Sequence, residues 1–251
     1  MFGFSFSRLQ DYNYNQVFSV NINPGYFYYL HAGSYRVGMI MHLCGCLPAG
    51  LLMVLQFTPA IRYAYLTFHR INGYVVLVLL VISNVGACIV LHHPDSGTRV
   101  GIQSAEGMLV ILSTCGLAIA YWNIKRLQID QHRAWMIRSM FIFGVIISSR
   151  VIDNLAAVII SRIGTYYTVW TCDQVDYTYR QFGIEGILEK KYPQCLIPNG
   201  TLDGRVVVKA VHSVLEPESA GASGNIPFGA AVSNLSQNLV PFSLRRAELE
   251  C

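Results

Sequence analysis

Four long apolar runs, separated by short polar stretches, organise the chain up to about residue 160. The first covers about 37–57 (VGMIMHLCGCLPAGLLMVLQF) and the second about 72–91 (NGYVVLVLLVISNVGACIVL). The third covers about 102–122 (IQSAEGMLVILSTCGLAIAYW) and the fourth about 135–160 (WMIRSMFIFGVIISSRVIDNLAAVII). A helix needs about 20 mostly apolar residues to cross the hydrocarbon of a bilayer. The first three runs meet that length with almost no charge, whereas the fourth is longer and admits Arg138, Arg150 and Asp153. The pattern predicts an all-α membrane protein whose core, 37–160, is a four-transmembrane-helix bundle. Small residues recur within the runs (Gly45, Ala49, Gly50, Gly86, Ala87, Gly116, Ala118, Ala120) and predict close helix approach. Pro48 predicts a local kink in the first run.

The flanks read differently. Residues 1–36 are rich in Tyr, Phe and Asn, and Arg8 and Asp11 interrupt any leader-like apolar stretch. Their aromatic content predicts an interfacial or lumenal N-terminal segment. Residues 161–251 hold no span. Trp170 and its neighbouring tyrosines suit a position over the lumenal mouth of the bundle, and the Pro/Gly/Ser/Ala-rich stretch EPESAGASGNIPFG predicts a flexible tail from about 201.

Composition supports the membrane reading. Of 251 residues, 53% are hydrophobic and 13% charged, against about 25% charged in an ordinary soluble domain. The net charge of +4 is small and no Lys/Arg block is present, which sets nucleic acid aside as a partner. The lipid bilayer is the partner implied. Four spans are few for a transporter unless the chain oligomerises.

Charge also predicts orientation. The loop 58–71 carries Arg62 and Arg70 with no acid, and 123–134 sets Lys125, Arg126 and Arg133 against Asp130 alone. The intervening loop, about 92–101, balances Asp95 with Arg99. Short loops with excess Lys and Arg stay cytosolic, so both termini are predicted lumenal or extracellular, in an endomembrane or the plasma membrane. The tail agrees: Asn199 (NGT) and Asn234 (NLS) are acceptor patterns for N-glycosylation. Cys172 and Cys195 can pair in an oxidising compartment, while Cys44, Cys46, Cys88 and Cys115 fall within the spans as packing residues.

Two His-Arg pairs, HRINGYV at 69–75 and HRAWMIR at 132–138, precede the second and fourth runs. Those runs cross in the same direction, so His69 and His132 are predicted at similar depth near the cytosolic face. Neutral imidazole is an axial ligand for haem iron, and one His from each of two helices can hold a b-type haem. Arg70 and Arg133 can then meet haem propionates, or lipid phosphates, through forked hydrogen bonds. His-Arg at a helix entry serves equally as an interfacial anchor.

A second polar set lies toward the other end: His42, Glu106, Arg150 and Asp153, with His92 and His93 closing the second run. Charged groups in spans face partners or a wet cavity. Glu106 and Arg150 can pair by depth. His42 can join them or, with His92 or His93, ligate a second haem. The alternative is an ion pair that only fixes helix packing.

The combined motifs LQFTPAIR (55–62), HRINGY (69–74) and HRAWMIRSM (132–140), followed by Arg150, resemble a family of multi-span membrane proteins of bacteria and filamentous fungi. The pattern falls on His42, Gln56, Phe57, Pro59, Arg62, His69, Arg70, Gly73, Tyr74, His132, Trp135, Met136, Arg138, Ser139 and Arg150, and covers about 37–155. Family members commonly carry further spans before and after this core, whereas 1–36 here is polar and aromatic and 161–251 is not expected to span. No chemistry comes with the resemblance. The layout is similar, as fold-level analogy, to b-type di-haem membrane cytochromes and ferric reductases. Fungal members are often encoded beside secondary-metabolite enzymes, which implies that setting.

The reading that follows is a multi-pass membrane protein holding haem b through His69 and His132, acting in electron transfer or as an oxidoreductase component with a redox partner. The alternative is a haem-free membrane enzyme or accessory factor, with His42, Glu106, Arg150 and Asp153 acting by acid–base chemistry on an apolar metabolite. A non-catalytic membrane scaffold is the third reading.

Overall fold

The structure is a computed structural model that describes residues 2–91, 100–184, 186–196 and 204–210. His92, His93, Asn199 and Asn234, singled out above, lie outside the described residues. In chain order the helices are α1 (Phe2–Ser7), α2 (Ser19–Asn21), α3 (Phe27–Leu30), α4 (Gly33–Phe57), α5 (Pro59–Ala64), α6 (Leu66–Val90), α7 (Val100–Lys125) and α8 (Ile129–Ile163). Strand β1 (Tyr167–Thr171), helices α9 (Cys172–Gln181) and α10 (Ile187–Lys191), and strand β2 (Arg205–Lys209) follow.

Among the described residues, four helices are long and apolar enough to cross a membrane: α4, α6, α7 from Gln103, and α8. They are the four runs of the sequence, each extended by several residues. The extension has a physical cause, because in hydrocarbon a backbone N–H or C=O finds a partner only inside its own helix. Helix α4 continues through Pro48 without interruption. The 35 residues of α8 span about 50 Å at 1.5 Å per residue, beyond the ~30 Å hydrocarbon core. That excess length lets Arg138, Arg150 and Asp153 occur in a spanning helix without all lying at its centre.

The chain divides into two compact units, 1–21 with 30–92 and 103–148, and 22–29 with 93–102 and 149–251. In the first, α4 and α6 pack most closely. Glycine permits it. A Cβ on Gly45 would lie 2.5 Å from the Leu79 carbonyl oxygen, and one on Gly86 would lie 2.5 Å from that of Gly38. Below this crossing, Ala49, Met53, Val76, Leu80, Leu117 and Phe143 from all four helices form the bundle core. Outward positions are apolar too: Val78, Val85, Met108, Ile111, Phe141 and Leu155 are exposed, as a surface bathed in lipid requires.

The N-terminal segment is more than a cap. Residues 2–21 are almost continuously helical and run antiparallel along α4. The Arg36 guanidinium donates to Asn15 Oδ1 at 3.4 Å, and Ser5 packs on Gly50 where a Cβ would otherwise sit. Asp11, buried, accepts from Asn21 at 3.0 Å and pairs with Arg8 at 3.5 Å. Interspersed Ser, Asn and Asp keep this segment's hydropathy low, which is why the sequence pattern did not show it as helix.

In the second unit β1 and β2 pair antiparallel, with Trp170 opposite Val206. The flexible tail expected from 201 is corrected at 204–210: Val206 and Val208 point inward and alternate with Arg205, Val207 and Lys209, a period-2 pattern. Cys172 and Cys195 form a disulfide. Trp170, Val175, Tyr179, Tyr192, Val206 and Val208 make the core around it. Segment 22–29 completes this unit. Gln174 donates from Nε2 to the Gly25 carbonyl at 3.1 Å, and Gly25, at φ +84°, lies against the Trp170 ring.

Candidate functional site

Four helix ends converge at one end of the bundle: the last turn of α4, the first turns of α6 and α8, and the late turns of α7. The hairpin order of the spans dictates this. Aromatic and cationic side chains mark the level: Lys125 lies over Tyr74 and Tyr121 at 5.8 and 5.3 Å, Arg126 over Trp122 at 4.6 Å, and Arg138 over Trp135 at 4.8 Å. Such belts sit at the membrane–water interface.

A directional hydrogen-bond chain enters this end. The Leu52 carbonyl can only accept, so Asn72 presents its Nδ2 there (3.1 Å), and the same group donates to Gln56 Oε1 at 2.9 Å. Gln56 therefore turns its own Nε2 donor toward His69 Nε2, at 3.4 Å. The chain assigns His69 an acceptor at Nε2 and a proton at Nδ1. That Nδ1 is buried and has no partner. His132 is fixed from the other side of the bundle: its Nδ1 lies 2.8 Å from the Ala120 carbonyl oxygen, which requires Nδ1–H and leaves a lone pair on Nε2. Arg62 and His132 both lie within electrostatic reach of His69.

Among the described residues of this unit, two further buried side-chain atoms lack partners, Arg62 Nε and Ser139 Oγ. Ser139 sits two turns beyond His132 on the same face of α8, against Gly116 of α7. The neighbouring arginines point elsewhere. Arg70 is exposed, and Arg133, also exposed, pairs loosely with Asp130 at 3.8 Å.

The second predicted set is divided between the two units. His42 lies in the α4–α6 crossing, with its Nδ1 3.1 Å from the Ser83 carbonyl oxygen and 3.0 Å from the Ser83 hydroxyl. Glu106 is exposed on α7 in the first unit, whereas Arg150, exposed, and Asp153, half-buried, belong to the second. Among the described residues, no group of three or more His, Cys, Asp or Glu is placed to hold a metal ion.

Sequence reasoning named both histidines at this end and did not assign roles to the residues that orient them. Gln56 and Arg62 stood in the motif without a function, and Asn72 looked like one polar residue in an apolar run. The available signal was burial cost: an amide inside a span needs a partner.

The motif residues fall inside a family match. The model for the family described as Predicted membrane protein (DUF2306) matches residues 39–172. The chain belongs to this family. The matched region contains the first span from Met39 on, the other three spans, the Asn72–Gln56–His69 chain and His132. It is thus a multi-span membrane protein by both family and fold. No curated protein and no solved structure matches it.

Proposed function

We propose that this chain is a membrane electron-transfer protein or oxidoreductase component that binds haem b between α6 and α8. The observation that carries the reading is the pair of imidazoles. His69 and His132 come from separate spans, lie within electrostatic reach of each other, and both present an Nε2 lone pair. Ligating histidines characteristically donate their other N–H to a backbone carbonyl or carboxylate, as His132 does to Ala120. The long 3.4 Å contact from Gln56 is the weak member of the chain and yields most readily when His69 Nε2 takes another partner. Bound haem would supply one-electron exchange. The protein would supply two preset tautomers and a low-dielectric core below them, and Arg70 and Arg133, both exposed at this end, would have to turn from solvent to meet the propionates.

The net-positive loops at this end support a cytosolic placement, and an oxidising compartment for the Cys172–Cys195 disulfide supports lumenal termini, with Asn199 and Asn234 open to glycosylation. A redox partner then meets the cytosolic end, in an endomembrane or the plasma membrane, and a secondary-metabolite setting fits the fungal resemblance.

The test is a dithionite-reduced minus oxidised absorption spectrum of detergent-purified protein expressed with ample haem. Sharp b-type bands are expected in wild type and absent from His69→Ala and His132→Ala. A flat wild-type spectrum from folded protein would sink the reading. The haem-free alternative, with His42, Glu106, Arg150 and Asp153 acting on an apolar metabolite, would then be tested through Glu106→Gln.

A further inference from the structure

The haem reading uses the Nε2 atoms and leaves two buried donors unexplained. Arg62 Nε and His69 Nδ1 are both shielded from solvent and both without a hydrogen-bond partner. An unpartnered buried donor carries a desolvation cost, larger where the group is charged. The rest of Arg62 is occupied: its Nη2 donates to the Tyr63 hydroxyl at 3.0 Å, and the guanidinium stacks on that ring at 4.8 Å. Gln56, which meets His69 at Nε2, already receives Asn72 at its Oε1. What is missing is therefore an acceptor, and beside a guanidinium it is best an anionic oxygen.

Position narrows the class. Arg62 is on α5 and His69 in the first turn of α6, at the aromatic level of the bundle, flanked by exposed Tyr63, Tyr65, Leu66 and Phe68. Side chains of this kind lie among lipid headgroups and upper acyl chains. The same end carries Arg70, Lys125, Arg126, Arg133 and Arg138 against the single acid Asp130, which is 98% exposed and already faces Arg133. An anion arriving from the headgroup layer meets attraction and no buried carboxylate.

We propose that Arg62 and His69 form a binding site for the phosphate of an anionic phospholipid, with Arg62 Nε–H and His69 Nδ1–H donating to its oxygens and the acyl chains lying along the exposed apolar face of α6. The site goes beyond the haem reading and does not depend on it, because it uses the opposite nitrogen of His69. Its occupant would also hold the His69 ring by Nδ1–H, the anchor that Ala120 provides for His132.

The full chain, purified in detergent and delipidated, is titrated with dioctanoyl phosphatidylglycerol while thermal unfolding and native mass spectra are recorded. Dioctanoylglycerol, which has no phosphate, and inorganic phosphate are run beside it. The phospholipid is expected to raise Tm by ~5 °C or more at saturation and to remain bound in the mass spectrum, with neither control doing so. Arg62→Gln and His69→Phe are expected to weaken binding by about tenfold, and Arg62→Lys, which keeps the charge but not the fork, by about threefold or more. His132→Ala should bind the lipid as wild type does whether or not the protein carries haem, which separates this site from the haem reading. An equal response in wild type and Arg62→Gln, or an equal shift from dioctanoylglycerol, overturns the site. A full response to inorganic phosphate alone overturns the lipid as its occupant and leaves free phosphate in its place.

Discussion

The two units bury their apolar residues by opposite logics. In the second unit Trp170, Val175, Val206 and Val208 are shut away from solvent, a disulfide closes a separation of 23 residues, and the strand alternates inward and outward. In the first, valines, isoleucines and phenylalanines cover the outside of α6, α7 and α8, while glycine, asparagine, glutamine, serine and histidine lie between the helices. Water drives the first kind of core. In lipid no hydrophobic drive separates the helix interior from its surroundings, so close backbone approach and interhelical hydrogen bonds hold the bundle.

Substituting the glycine crossing should break this contrast hardest. Gly86→Leu drives a side chain into the α4 backbone at Gly38 and His42. It is expected to cost ~3 kcal/mol or more, seen as loss of monodisperse protein and a lower Tm in detergent. Gly144→Ala, where nothing lies within 4 Å of the added Cβ, is the control and should be neutral or gain about 0.5–1 kcal/mol in helix stability. An equal loss at both positions would remove close approach as the cause.

The disulfide is next. Cys172→Ala with Cys195→Ala should cost ~3 kcal/mol in the second unit, read as faster proteolysis of the segment 165–210, while the spectrum expected of the His69–His132 site stays unchanged. A change in that spectrum would mean that the two units do not behave as the packing of each suggests.

A smaller effect sharpens the membrane side. Asn72→Leu removes two hydrogen bonds, to the Leu52 carbonyl and to Gln56, and should cost about 0.6–1.7 kcal/mol. Gln56 then loses the partner that orients it, so on the proposed haem reading a broadened or shifted b-type band is expected beside the modest drop in Tm. Unchanged bands would show that the amide chain does not set the His69 tautomer.

The smallest expected effect concerns pH. Burial pushes the phenols of Tyr28, Tyr29 and Tyr177 up, with the Asp173 carboxylate adding to Tyr28. Tyr28 and Tyr177 meet edge-on at 5.6 Å. A raised phenol favours the neutral ring in the folded state. The second unit should therefore keep its stability below the ordinary tyrosine range of about pH 10 and loosen as pH rises through the raised values. Urea unfolding of this unit at rising alkaline pH checks the sign. A gain in stability there would reverse the assignment.

What the sequence could show follows from the same contrast. The spans were legible because crossing a bilayer demands some twenty apolar residues in a row, and hydropathy measures that directly. Their glycine-rich faces were legible as composition. That His69 and His132 belong to the same end of the bundle, within electrostatic reach of each other, was the expectation from counting crossings. The strand Arg205–Lys209 was written in its alternation but was overshadowed by the polar tail beside it. The helical arm 2–21 was hidden because its Ser, Asn and Asp are satisfied by α4 and by one another, which no local average registers.

The sequence by itself determined the number and order of the spans and which helix ends meet. Tertiary structure alone decided their rotation: that Asn72 and Gln56 face each other, that His132 and Ser139 turn inward while Arg133 turns out, and that Arg62 Nε and His69 Nδ1 are left without acceptors. The reason is physical. In water an apolar stripe reports which face is buried, but in a bilayer both faces of a helix are apolar. Rotation is then set by glycines and a few hydrogen bonds, which are fixed only when the helices meet.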